Sequence, residues 1–412
     1  MAKSFNIVTF GCKSNQYDSQ LWRRLFLDAG WKESSETADV CLVNTCTVTA
    51  SADRQARQAV RKLRRENPRC ALIVAGCGVA VSPEAFSRMP EVDLAAGRYG
   101  PESIGKVARL LKLEAVRGPE SIRSFAGHTR AFLKVQDGCG HGCAYCIVPR
   151  ARGGSRSRDL ASVVAEARDL LEGGHRELVV TGIRLGDFRP SLSLMLSALA
   201  GLPGLDRLRI SSLEPDDVTD ELVETVSRQT VIARHLHLPL QSGSDRILKA
   251  MGRPYLIGQY GELLDRISRS IPGMTFGTDL MVGFPGETEE DFRASLEAAR
   301  QLPISHLHAF SYSRRPGTKA AVMPGQIPEA VKKERSQRLR ESFREKQQGL
   351  RQDLVGKRET VLFETREGGR WTGLGEHYFR VLAGSEDGLH NRLRRVRLTS
   401  VCGEGLEGEL EP

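Results

Sequence analysis

The chain has 412 residues, 40% hydrophobic and 27% charged, with 60 Lys and Arg against 51 Asp and Glu for a formal charge of +9. That length exceeds one ordinary core and predicts two or three domains, while the lack of a long apolar run excludes a bilayer-spanning helix and any membrane role that needs one. The positive balance favours a polyanionic partner without identifying it, and nine cysteines, an odd number, argue against a disulfide framework and for metal or redox chemistry.

The opening run MAKSFNIVTFGCKSN has no apolar stretch or small-residue cleavage site of a secretory signal, so the expected localisation is cytoplasmic. From residue 5 to about 112, short apolar runs (FNIVTF, DVCLVN, ALIVAG) alternate with helical stretches (SQLWRRLFLDAG, ADRQARQAVRKLRREN), which predicts a parallel α/β domain over 1–116. RGPESIRSFAGHTR, 117–130, is polar, bears Gly and Pro, and reads as a linker. Over 131–328, strand-like runs from AFLKV through ELVVTG, LDRLRIS, RHLHLPL, MTFGTDLMVG and ISHLHAF again alternate with helices, the order of a partial TIM-like βα barrel. Residues 329–356 predict a bridging helix. The stretch 329–358 carries ten basic and five acidic side chains, which predicts a solvated surface. Short β-like runs between Gly-rich turns over 357–412 suggest a small antiparallel β module.

The sharpest chemical signal is Cys139-x3-Cys143-x2-Cys146, directly after the first strand of the second domain. Three thiolates on one tight loop suit an iron-sulfur cluster that keeps an open iron position. A zinc knuckle is the blander reading, but zinc usually pairs CxxC with a second CxxC or with histidines, and His141 has no matching partner pair nearby. Glycines 138, 140 and 142 relieve steric limits on such a loop, and Tyr145 can cover one side. Cys12, Cys46 and Cys77 are far apart in sequence, yet each follows a predicted strand. In a parallel sheet those strand ends share one rim, where three thiols could converge on a second cluster. The bland alternative is that they are buried small residues, as Cys41, Cys70 and Cys402 are read to be.

On these six cysteines, and on GCKSNQYDSQ, VNTCTV, RISSLEP, HLPLQSGSDRILKAMGR and DLMVGFPGETEEDF, the chain resembles the radical S-adenosylmethionine methylthiotransferases over nearly its whole length. The resemblance implies an N-terminal cluster domain, a radical-enzyme barrel and a C-terminal TRAM module, an OB-like RNA-binding fold. VPRARGGSRSR and VTGIRLGDF look most like the branch that acts on threonylcarbamoyladenosine next to the tRNA anticodon, with Arg184 a departure from the histidine common there. The resemblance further implies two 4Fe-4S clusters, S-adenosylmethionine, tRNA, an external electron donor and a sulfur source. Cys139, Cys143 and Cys146 would hold the cluster that binds S-adenosylmethionine, and Cys12, Cys46 and Cys77 the cluster that holds sulfur. Gly182, Arg209, Ser211, Glu214 and Gln241 are the candidates for cofactor contacts, each with a capping or salt-bridging role as its structural alternative. No catalytic acid or base is assigned. Arg150, Arg152, Arg156 and Arg158 are candidates for RNA phosphate contacts, with Tyr378, Phe379 and HNRLRRVRL as candidates in the last module. Rival readings are the same chemistry on isopentenyladenosine or on a ribosomal-protein aspartate, and a non-catalytic iron-sulfur carrier.

Overall fold

The protein is described by a computed structural model over residues 3–113 and 117–412, so the boundary expected at 116 lies outside the described residues. Two units are present. The first comprises the chain up to Ala126 with Asp137–Arg156 and Ser313–Ala321; the second comprises Gly127–Gln136, Ser157–Tyr312 and Val322–Pro412.

In the first unit, β1 (Ser4–Thr9), α1 (Lys13–Asp28), β2 (Lys32–Glu33), β3 (Val40–Thr45), α2 (Ala50–Glu66), β4 (Ala71–Gly76), α3 (Cys77–Val81), α4 (Pro83–Ser87), β5 (Leu94–Gly97) and α5 (Pro101–Leu111) form a parallel sheet of order β2-β1-β3-β4-β5 with its helices. Apolar side chains go to both faces, as a doubly covered parallel sheet requires. Val40, Leu42 and Ile73 pack with Trp22, Phe26 and Val107, whereas Cys41, Val43 and Val74 pack with Ala56, Val60 and Phe86. The strand order reverses between β1 and β3, and in such sheets ligands bind beyond the carboxyl ends at that switch point. Pairing of Thr9 with Asn44 and of Thr45 with Gly76 puts the ends of β1, β3 and β4 at one level. The expected linker lies along this unit, where Arg24 Nη1 donates to Ser121 O (2.8 Å) and Tyr99 Oη to Pro119 O (2.7 Å).

Residues 137–156 carry the second cysteine motif and end in α6 (Val148–Arg152). The two-residue strands β7 (Gln136–Asp137) and β8 (Arg156–Ser157) pair where the chain enters and leaves this segment.

The second unit holds β6 (Ala131–Lys134), α7 (Leu160–Glu172), β9 (Glu177–Thr181), α8 (Leu192–Ala200), β10 (Arg207–Ile210), α9 (Asp220–Arg228), β11 (His235–His237), α10 (Asp245–Met251), α11 (Ile257–Ser270), β12 (Thr275–Val282), α12 (Glu289–Gln301) and β13 (Ile304–Ser311). Its strands form two parallel sheets, β10-β9-β6 and β11-β12-β13. A Leu208–Ile232 bridge and the Leu213 N–H donating to His237 O (2.9 Å) continue one into the other. The result is a partial βα barrel.

α13 (Glu329–Gln352) follows, then β14 (Arg358–Glu367), β15 (Arg370–Gly375), β16 (Arg380–Gly384), β17 (Leu393–Cys402) and β18 (Gly405–Leu410), closed as a barrel of order β14-β15-β16-β18-β17. It is the antiparallel β module expected, apart from one parallel pair, β16 with β18. Val361, Phe363, Val381, Val396 and Leu406 fill it.

The bridging helix is less solvated than its charge implied. Leu339 and Phe343, four residues apart on one stripe, are buried, and Arg335 pairs with buried Glu287. Fully buried Glu177 is held by Arg207 and Arg209, whose remaining donors reach the backbone oxygens of Thr360, Leu374, Gly375 and Glu376. A carboxylate in that position is tolerable only when paired.

Candidate cysteine-lined site

Cys12 caps the start of α1, Cys46 directly follows β3, and Cys77 opens α3 directly after β4. Cys12 is exposed and the other two are buried. The approach is close enough to demand glycine. Gly11 has φ +103°, and a Cβ there would lie 2.7 Å from Cys46 Cβ and 2.9 Å from its sulfur. Gly76, φ +95°, turns the chain at the end of β4, where a Cβ would meet Asn44 Oδ1 at 2.3 Å.

Electrostatically the three thiols sense one another. Burial pushes the Cys46 thiol up, against the backbone N–H groups of Val48 and Thr47, and the Cys12 charge adds to the rise. Burial pushes Cys77 up to about 11, opposed by the Arg152 guanidinium and reinforced by Cys12. A thiol must release its proton to bind metal, and Cys77 faces a fixed cation that favours its thiolate.

That cation was expected on RNA. Instead the Arg152 side chain is 1% exposed: Nη2 donates to Asn15 Oδ1 (2.5 Å) and Asp18 Oδ2 (3.2 Å), and Nη1 to Asp137 Oδ1 (2.8 Å). Asn15 Oδ1 also receives the Cys77 thiol at 3.5 Å, and Asn15 Nδ2 donates to Phe10 O and Thr45 O. Both terminal nitrogens of the Arg152 guanidinium are thus engaged inside the unit, where the sequence suggests a phosphate contact. Arg158 is similarly held, by Glu166 and Lys134 O, which leaves Arg150 and Arg156 exposed.

On the second motif, Gly138 (φ +75°) is the glycine the loop needs, since a Cβ there would sit 2.1 Å from Gly154 O. Gly140 and Gly142 have room for a side chain and no positive φ, so steric relief at those two is not required. Cys139 N–H donates to Gly153 O (3.0 Å), the Cys146 N–H to Cys143 O (3.1 Å), and all three thiols are partly exposed. Ala320 N–H donates to Ala144 O (2.8 Å), and Arg315 binds Asp53 and Thr47, which fastens 313–321 within the same unit. Among the described residues no three His, Cys, Asp or Glu side chains close on a single metal ion. A cluster spreads its irons, so its ligand sulfurs stand farther apart than those on one ion. All-thiol donor sets on glycine-turned loops fit such a group.

In the second unit, the five candidates for cofactor contacts differ. Arg209 is engaged by Glu177, two backbone carbonyls and the Tyr378 ring (5.2 Å). Gly182 is forced by Gln136, whose Oε1 accepts from Ile183 and Arg184 N–H (both 2.9 Å) and would lie 2.9 Å from a Cβ. Ser211 is buried beside β9, and Glu214 pairs with Arg253. Gln241, φ +75°, holds a buried Oε1 with no hydrogen-bond partner. Arg184 is bound by Asp216 (2.6 Å) and Asp217 (2.7 Å).

Sequence reasoning missed a further group on the barrel strands. Asp279 Oδ1 faces both His237 Nε2 (3.3 Å) and His308 Nδ1 (3.2 Å). Those hydrogen bonds hold the Asp279 carboxyl well below its usual range despite burial, and raise His308. In the last module, Tyr378 stacks on His235 (centroids 4.7 Å, 12°) and Phe379 is buried, so neither offers a face to a base.

Residues 4–97 match the family described as uncharacterized protein family UPF0004, and residues 133–299 the Radical SAM superfamily. The chain is 34% identical, over 95% of its length and 92% of the relative's, to a Bacillus subtilis protein named threonylcarbamoyladenosine tRNA methylthiotransferase. It is also 34% identical, over 100% of its length and 94% of the relative's, to a Jannaschia protein named tRNA-2-methylthio-N(6)-dimethylallyladenosine synthase. Among solved structures, the radical S-adenosylmethionine methyltransferase TsrM of Kitasatospora setae matches with a TM-score of 0.57 at 15% identity, covering 90% of this chain and 81% of that one, a likeness of fold alone.

Proposed function

We propose, since this chain belongs to the tRNA methylthiotransferases of the radical S-adenosylmethionine superfamily, that it attaches a methylthio group to carbon 2 of N6-threonylcarbamoyladenosine at position 37 of tRNA. The superfamily implies S-adenosylmethionine and one 4Fe-4S cluster. The proposal adds a second cluster, an external electron donor and a sulfur source. The observation that carries it is the placement of Cys12, Cys46 and Cys77 at the ends of three neighbouring parallel strands, in the same unit as Cys139, Cys143 and Cys146.

A bound cluster on Cys139, Cys143 and Cys146, with an open iron, supplies one-electron cleavage of S-adenosylmethionine, a source of radical reactivity suited to a carbon with no acidic proton. Cys12, Cys46 and Cys77 would hold the second cluster and present sulfur. The protein's part is positional and electrostatic. Gly11 and Gly76 permit the thiols to approach, Asn15 orients Cys77, and Arg152 offsets the negative charge of thiolate ligands. The buried Gln241 Oε1, unpartnered among the described residues, is the candidate acceptor for an amino or hydroxyl group of S-adenosylmethionine.

Equal identity to the Jannaschia relative supports dimethylallyladenosine as the second reading. Mass spectrometry of tRNA nucleosides from cells with and without the gene decides between them. Loss of the methylthio form of threonylcarbamoyladenosine, with the unthiolated nucleoside accumulating, is the expected result. Loss of the dimethylallyl derivative instead would refute the substrate and keep the chemistry.

A further inference from the structure

The last β module was expected to meet RNA through Tyr378, Phe379 and a basic run, but it is nearly neutral, with nine basic and ten acidic residues over 357–412, and both aromatic rings are engaged internally. The second unit nevertheless contains a basic groove elsewhere. A cavity of about 660 Å³ opens between α13, β13 and the β17–β18 hairpin, with Leu307 and Phe343 at its floor and Val401, Gly403 and Glu404 on its far wall.

Arg340, Arg344 and Arg351 line it, with Gln347 and Gln348 between them. At 100° per residue those three arginines fall within about 40° of arc, and the stripe is about 16 Å long. Its cations are unequally used. Arg340 reaches only Ser336 Oγ (2.8 Å), and Arg344 has no hydrogen-bond or ion-pair partner among the described residues. Arg351 is 5% exposed and fixed by Gln347 Oε1 (2.7 Å), yet its Nε is buried with no acceptor. Among the described residues that guanidinium N–H has no acceptor, and a buried charged donor gains from an oxygen acceptor because leaving it unmade is costly. Glu404 is the single acid on the lining.

We propose that this groove binds the phosphodiester backbone of the tRNA stem. The inference rests on tRNA being the substrate. A stripe of that length exceeds what one phosphate needs and suits consecutive phosphodiesters, each reached by a guanidinium fork, with glutamine amides for ribose hydroxyls. Leu307 lies four residues before Ser311, the end of β13, so the groove flanks the barrel about 13 Å below the carboxyl ends of its strands.

The test is filter binding of purified bulk tRNA to the full-length chain over a salt series, with R340Q/R344Q and E404Q. Both arginines are exposed, so the fold tolerates their loss. Removing two phosphate contacts should make the plot of log affinity against log salt shallower by about two units and weaken binding at least about tenfold at low salt, the gap closing as salt rises. E404Q should tighten binding, an opposite sign that misfolding cannot produce. Wild type and R340Q/R344Q binding alike, with one slope, would overturn the groove and leave the substrate reading intact. Wild type that neither binds tRNA nor alters its nucleosides would overturn both.

Discussion

Replacing Arg152 by glutamine should destabilise the first unit even with no cluster bound. The guanidinium joins α6, immediately after Cys146, to Asn15 and Asp18 of α1 and to Asp137. Its removal takes from the Asp18 carboxylate, 8% exposed, the guanidinium that pairs with it, and from Asn15 Oδ1 its donor at 2.5 Å. Deleting one partner of a buried ion pair costs about 3–5 kcal/mol, a fifth or more of the roughly 5–15 kcal/mol that stabilises an ordinary domain. Lysine should recover part of this, because it restores charge without the two-sided fork. Urea unfolding followed by tryptophan fluorescence reads the unit through Trp22, which is fully buried in its core. The R152Q/D18N pair should be more stable than the sum of the single changes predicts, since both changes remove the same Arg152–Asp18 interaction and its loss is counted once. An unfolding free energy for R152Q within about 0.5 kcal/mol of wild type would refute the reasoning.

Cys143→Ala should abolish deoxyadenosine formation from S-adenosylmethionine by the reconstituted, reduced protein, whereas Cys46→Ala should keep some cleavage and lose methylthio transfer; equal loss in both assays contradicts the division of labour. Gly11→Ala should cost about 1–3 kcal/mol, from a positive φ and a Cβ 2.7 Å from Cys46 Cβ, and lower the iron bound per chain, read by thermal melting and iron analysis. Asp279 and His308 make a pH-dependent contribution. His308 is raised in the folded state, so its share is full below its ordinary value near 6.5 and lost as pH rises through the raised value. Asp279 is lowered, so its share is present above about 4 and lost in acid. Asp279→Asn should thus destabilise more at pH 6 than at pH 9, by a few tenths of a kcal/mol because the His308 side chain is 74% exposed; identical losses at the two pH values sink the pairing.

The strand-end cysteines were legible because each follows an apolar run that reads as a buried parallel strand, and a parallel sheet puts such ends on one rim. The loop motif was legible because its spacing is local. Arginine placement was not. In VPRARGGSRSR four arginines look alike, and what separates Arg152 from Arg150 is Asp18, 134 residues earlier, supplied only by the fold. Arg209 ends in an apolar strand and reads as a rim group, yet its partners Gly375 and Glu376 come from another module. The pairing of Asp279 with His237 and His308 needs three strands side by side before it exists, although each residue lies in a run visible in the sequence.

The formal charge of +9 therefore misstates how the chain meets a polyanion. Arg152, Arg184, Arg207, Arg209, Arg253 and Arg335 are buried against carboxylates, and such neutralised pairs add little to the field outside. Long-range attraction must come from the cations left unpaired at the surface, of which Arg340 and Arg344 share one groove. A field concentrated in a stripe orients a rod of phosphates as well as attracting it, which a diffuse charge of the same total does not. Orientation matters for the proposed function because one base of the tRNA must be presented to the reacting group. Swapping the charge of those two arginines should accordingly damage encounter and register with tRNA more than the same change at Arg54 and Arg57 on α2, where the total charge alters equally.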